Sequence, residues 1–278
     1  QQPDPTRSNN RGARTKNMLK EVLGHTKMLN FTGTGIAHWF VMVGFGALFG
    51  TLITAYGQLI SPDFALPVIG HFVGYELFAE VIAALTGIGI VTLIGIRQAT
   101  RFWHKGRTSR FAGSNQGRAY YVEATILAVV FCVIALRGLE GALAGEKSWS
   151  LHYAISWPAV LAFQGMSVAA LENAIVWVAT AKIVVSMTWF IVIANNFTMG
   201  IAWHRFLAFF NIYYKRNSDG SASLGALPEM LSHGKPVNFE DPAEDDVFGL
   251  GNRADISWKG LLDMTSCTEC GRCQSQCP

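Results

Sequence analysis

At 278 residues, with 50% hydrophobic and only 15% charged side chains and a mean hydropathy of +0.27, the chain is too apolar for an ordinary soluble globule and reads as a membrane protein. The net charge of +3 is concentrated in basic clusters before residue 30, between Arg97 and Arg118, and at Lys215 and Arg216. These clusters abut apolar runs instead of lining one polar face, which excludes a nucleic-acid-binding surface.

Residues 1–30 form a basic segment with Arg7, Arg11, Arg14, Lys16, Lys20 and Lys27. No charged n-region followed by a short apolar stretch and a small-residue cleavage site opens the chain, so no signal peptide is visible. Gln1 at one end, and Cys277-Pro278 inside a cysteine motif at the other, lead us to expect that the natural protein extends beyond both. Residues 31–214 contain four apolar stretches, each long enough for the roughly 20 helical residues that cross a bilayer core. They run over Ile36–Ile60, Phe72–Ile96, Ala119 to about Leu136, and from near Ala174 to Tyr214. The last exceeds the bilayer thickness, so one end of it must project.

Lys and Arg accumulate on the cytoplasmic side of short loops. The basic start and the Arg97, Arg101, Lys105, Arg107, Arg110 and Arg118 loop therefore belong inside. The 61–71 loop, with only Asp63, and residues 141–171, with only Glu146 and Lys147, belong outside. The uncharged stretch Leu151–Leu171 is long enough to span, but a span there would invert the basic loop. It is read as an outer-surface segment broken at Pro158. Residues 215–257, polar and acidic around Glu240–Asp246, form a linker, and residues 258–278 begin a soluble domain. The fold class expected is an all-α transmembrane bundle of four spans with a cytoplasmic ferredoxin-like iron-sulfur segment.

Four of the five cysteines close the chain as Cys267-Thr-Glu-Cys270-Gly-Arg-Cys273-Gln-Ser-Gln-Cys277-Pro278. This is the C-x2-C-x2-C-x3-C-P run of bacterial ferredoxins, whose short spacings bring thiolates onto one 4Fe-4S cluster. Zinc sites use two separated pairs, and a cytoplasmic placement disfavours disulfides. In two-cluster ferredoxins the fourth cysteine serves the other cluster, so Cys277 belongs either to this cluster or to a second. Cys132, alone in the third apolar stretch, reads as a small buried hydrophobe.

Of the seven histidines, His38 and His204 stand out. Each lies beside a tryptophan (Trp39, Trp203) toward the inner end of an apolar stretch. Counting about 21 residues of core outward from each, to Gln58 and to Val184, sets both at one depth, where two helices would clasp a b-type haem. Gly44, Gly46 and Gly50 would let a macrocycle approach the backbone, or equally serve helix packing. Arg205 would neutralise a propionate or mark the interface. His71 and His152, both on the outer side, are the candidates for a second haem, whereas His25, His104 and His233 read as solvated surface residues.

Glu76 and Glu80, four apart, share a face in the outer part of the second span. Lys182, about six helical turns ahead of His204, lies on roughly the same face as that histidine. Quinone reduction takes protons as well as electrons, so these three are read as proton or hydrogen-bond partners for a quinone. The alternatives are a Glu80–Lys182 ion pair or a Lys182 that snorkels to the surface.

The His-bearing spans with their basic start resemble the cytochrome b subunit of respiratory nitrate reductases, whose first helix would precede residue 1. The stretch from Trp258 through Cys273 resembles heterodisulfide-reductase-like iron-sulfur proteins. A fusion of the two is similar to the membrane electron-transfer-flavoprotein dehydrogenases of actinobacteria. The resemblance implies a quinone-linked oxidoreductase of the bacterial cytoplasmic membrane, taking electrons from a soluble electron-transfer flavoprotein to menaquinone through iron-sulfur and haem b. It matches His38 and His204 to the family's cytoplasmic-side haem pair. The outer pair is absent, Leu48 and Ser186 standing at those levels, so a second haem would rest on His71 and His152. Two other readings are an anchor that relays electrons to a separate catalytic subunit and, from a different class, a transporter with Glu76, Glu80, Glu123 and Lys182 as pathway charges.

Overall fold

The computed structural model describes residues 5–103, 116–221 and 229–268. They form two compact units, one of Lys27–Phe197 and one of the N-terminal helix with the residues from Thr198 onward.

In the first unit, α2 (Thr32–Ala47) and α3 (Phe49–Gln58) make a pair bent by 42°. Then come α4 (Val73–Trp103), α5 (Gln116–Leu143), the short α6 (Trp157–Phe163) and α7 (Val168–Ala194). α4, α5 and α7 are each long and apolar enough to cross a membrane, and the bent pair makes a fourth candidate. The bend sits where the Leu48 carbonyl accepts from both the Thr51 amide (3.1 Å) and the Thr51 hydroxyl (2.6 Å), a side chain inserted into the helical ladder. α6 rises only about 10 Å and cannot cross. Pro158 lies in its first turn, where the missing N–H costs nothing, so it starts this helix instead of breaking one. α7 opens at Val168 because the Ser167 side chain caps it by accepting from the Ala170 amide.

Small residues let these helices close up. A Cβ on Gly44 would lie 2.0 Å from Thr86 Oγ1 of α4, so Gly44 serves helix packing, while a Cβ on Gly46 would meet nothing within 4 Å among the described residues. Gly138 and Gly141 of α5 admit Ala159 and Val160 of α6 at similarly short range. One apolar core joins α3, α5 and α7 through Ala55, Leu136, Leu139, Leu171, Ile175 and Ala179. A second joins Leu48, Ile82, Ala83 and Val133.

The apolar run expected to continue to Tyr214 is interrupted. α7 ends at Ala194 and α8 (Gly200–Tyr213) starts afresh. Asn195 and Asn196 turn their side chains back onto the Ile191 and Val192 carbonyls, offering the backbone an alternative to continuing the helix.

In the other unit, α1 (Arg11–Leu23) packs on α8, and α8 on α9 (Trp258–Thr265). A two-residue hairpin pairs β1 (Leu231–Ser232) with β2 (Lys235–Pro236). Arg14 is 2% exposed and donates to the carbonyls of Thr6, Asn9, Tyr213 and Lys215 at 2.7–3.1 Å. Arg7 adds a bond to the Tyr214 carbonyl. Two cations thus satisfy the open C-terminal carbonyls of α8.

Candidate functional site

A cavity of about 270 Å³ lies in the first unit, lined from α3 by Thr51, Thr54 and Gln58, from α4 by Tyr75 and Glu76, from α5 by Arg137 and Glu140, and from α7 by Lys182. Leu66, Val133, Leu136 and Leu143 supply its apolar wall, and His71 and Tyr153 also reach it. The sequence-expected Glu76, Glu80 and Lys182 all belong to this region. Its organising residue, however, is Arg137.

The Arg137 guanidinium contacts three carboxylates: Glu140 at 2.7 Å, Glu76 at 3.2 Å and Glu80 at 3.3 Å. Its remaining nitrogen donates to the His152 carbonyl, and its plane lies 4.6 Å over the Tyr153 ring. Burial pushes the Tyr153 phenol up to about 12 against the opposing pull of Arg137, so the ring is a neutral platform for the cation. One cation thus serves as the shared counter-charge of three acids.

The two carboxylates of α4 differ in how completely they are held. Glu80 is fully buried. It accepts from the Ile155 amide (2.7 Å), the Ser156 amide (3.2 Å) and the Ser156 hydroxyl (2.5 Å), besides Arg137. It therefore ties α4 to the segment ahead of α6. Glu76 accepts from Arg137 and from His152 Nδ1 at 2.5 Å, and that histidine side chain is 45% exposed. Lys182, 1% exposed, donates to the Thr51 carbonyl (2.7 Å) and hydroxyl (2.8 Å). Neither sequence alternative holds: Lys182 neither snorkels nor pairs with Glu80, whose partner is Arg137.

Arg137 and Glu140 are not among the sequence candidates, because hydropathy ends the third apolar stretch near Leu136. The signal was present, since Leu136, Leu139 and Leu143 continue the helical spacing through them. Glu123, a transporter-pathway candidate, pairs instead with Arg97 at 2.7 Å.

Among the expected cofactor ligands, His38 sits half-buried in α2, and His204 lies in α8 of the other unit with Arg205 beside it. His204 Nδ1 contacts the Gly200 carbonyl at 3.3 Å. A proton donated there leaves the lone pair on Nε2, the tautomer of a metal-ligating imidazole. The helix count that set His38 and His204 at one depth assumed an unbroken helix from Val184, whereas α7 stops at Ala194. His71 lines the cavity, and His152 is engaged by Glu76. Cys132 is buried and Cys267 is exposed. The Cys267 carbonyl packs so closely on Gly200 that a Cβ there would lie 1.9 Å from it, placing the first cysteine of the motif at the start of the His204 helix. Cys270, Cys273 and Cys277, like His104, lie outside the described residues. Among the described residues no group of three or more His, Cys, Asp or Glu is placed to hold a metal ion.

No family model matches the chain, and no solved structure matches it. The chain is 40% identical over 76 residues, 27% of its length, to a protein of Syntrophomonas wolfei subsp. wolfei named EtfAB:quinone oxidoreductase, and the match takes in 9% of that protein. The likeness is partial and distant.

Proposed function

We propose that this protein passes electrons from a soluble electron-transfer flavoprotein to menaquinone in the bacterial cytoplasmic membrane, making it a quinone-linked oxidoreductase. The observation that carries the reading is the likeness to the EtfAB:quinone oxidoreductase. A ferredoxin-type cysteine run and helices apolar enough to cross a bilayer support it.

In this reading Cys267, Cys270 and Cys273 hold a 4Fe-4S cluster on the cytoplasmic side, with Cys277 ligating it or a second cluster. His38 and His204 hold a b-type haem, with Arg205 beside a propionate. Bound there, cluster and haem supply the one-electron chemistry that side chains lack. The chain's own residues do the rest. Gly200 gives the Cys267 backbone a seat on the His204 helix, and the His204 tautomer presents Nε2. Glu76 and Lys182 give a quinone ring hydrogen-bonding and proton partners, while Glu80 and Arg137 hold that region together.

The test is a reduced-minus-oxidised visible spectrum of the detergent-purified protein and of His38→Ala and His204→Ala, alongside anaerobic menaquinone reduction driven by reduced flavoprotein. A b-type band in the wild type, lost in both variants together with quinone reduction, is the expected result. A wild type reconstituted with haem that shows no such band and reduces no quinone overturns the reading.

A further inference from the structure

Two polar atoms of the cavity lack hydrogen-bond partners among the described residues: Oε1 of Gln58 and the Tyr75 hydroxyl. Gln58 is 1% exposed, and its amide is oriented by its neighbours. Nε2 donates to Glu140 Oε1 at 2.6 Å, and Glu140 is itself fixed by Arg137 at 2.7 Å. Flipping the amide would set its oxygen against a carboxylate oxygen. Oε1 is therefore left as an obligate acceptor. Lys182 spends two of its ammonium protons on Thr51, so one N–H remains as an obligate donor. The Tyr75 hydroxyl, given room by Gly50, can play either part.

A ligand that completes this set must bring a donor for Gln58 as well as an acceptor for Lys182. A quinone carries two acceptor oxygens and no donor, so it leaves Gln58 Oε1 buried and unsatisfied, which is costly. A hydroquinone carries two hydroxyls, each donor and acceptor, and satisfies all three groups. We infer that this cavity is a hydroquinone-selective site, in which a reduced ring donates one hydroxyl to Gln58 Oε1 against a wall of Leu66, Val133, Leu136 and Leu143. A volume of about 270 Å³ is at the small end of ligand cavities and suits a ring headgroup. The inference rests on the quinone-linked reading above and deepens it: the site holds the reduced form, so it governs quinol departure more than quinone capture.

The experiment measures equilibrium binding of menadione and of menadiol, under anaerobic conditions, to the full chain in nanodiscs. Wild type is expected to bind menadiol about tenfold more tightly than menadione, the ratio set by one buried unpaired acceptor. Gln58→Leu erases that preference by weakening menadiol alone. Tyr75→Phe weakens both forms similarly and preserves the ratio. Equal wild-type affinities, or a preference that persists in Gln58→Leu, overturns the inference. Should the wild type bind neither probe while still reducing menaquinone, the cavity assignment fails and the electron-transfer reading stands. Absence of both binding and quinone reduction removes the two together.

Discussion

Two arginines, Arg14 buried in one compact unit and Arg137 partly buried in the other, are satisfied by opposite means. Arg14 is surrounded by main-chain carbonyls of Thr6, Asn9, Tyr213 and Lys215, and Arg137 by the carboxylates of Glu76, Glu80 and Glu140. Carbonyls are fixed dipoles that cannot change charge, so Arg14 is a clamp on the end of α8 and nothing more is asked of it. Carboxylates are charges that can take protons, and two of those around Arg137, Glu76 and Glu140, border a cavity. Packing three acids, two of them buried, beside one cation, with a lysine close by, is an expensive way to build a bundle. A chain that needed only stability would have filled the space with leucine. The contrast is the physical reason to expect a polar site around Arg137 and only helix support at Arg14.

Removing Arg137 should have the largest effect. Arg137→Met leaves the buried Glu76 and Glu80 and the partly buried Glu140 without their cation, and a loss of roughly 3–5 kcal/mol is expected, read as thermal or denaturant unfolding in detergent. If the variant is as stable as wild type, those carboxylates are already protonated and the cluster is not an ion network. Next comes Glu80→Gln, at roughly 3 kcal/mol. Whichever way the new amide turns, its NH2 meets a donor: the Ile155 and Ser156 amides on one side, or Arg137 and the Ser156 hydroxyl on the other. Arg14→Met follows at about 2 kcal/mol. It strands only carbonyls, which water can reach once the side chain is gone, and no charge is left behind. Limited proteolysis should show the loss confined to α1 and the end of α8. A global loss as large as that of Arg137→Met would erase the distinction between the two arginines.

Much of this was legible in the sequence, and the failures have physical causes. The four apolar stretches are marked by hydropathy alone, because the bilayer demands length and little else. The pairing of Glu76 with Glu80 follows from helical spacing. Arg137 is not legible because two of its three carboxylates, Glu76 and Glu80, come from a different helix, and a hydropathy average sees only a charge at the end of a run. The break after Ala194 escaped for the converse reason. Asn195 and Asn196 are two polar residues in an apolar run, too few to move an average, yet they act through specific bonds to Ile191 and Val192. The glycines of α2 illustrate the limit most plainly. Gly44 and Gly46 read alike in sequence, but only Gly44 faces a neighbour, Thr86.

The smallest effect expected is also the most discriminating. In Glu76→Gln the oxygen can still accept from Arg137, while Arg137 keeps Glu80 and Glu140 as counter-charges. The amide nitrogen then faces His152 Nδ1, which satisfies it by presenting the unprotonated tautomer. One negative charge leaves a site that holds three, so stability should change by less than about 1 kcal/mol. Glu80→Gln, at the next turn of the same helix, should cost several times more. Unfolding of the two variants in the same detergent measures that ratio directly. If it is near one, α4 carries two equivalent structural acids. The expected inequality makes Glu80 the anchor and leaves Glu76, joined to a half-exposed histidine, as the carboxylate whose charge the fold can lose.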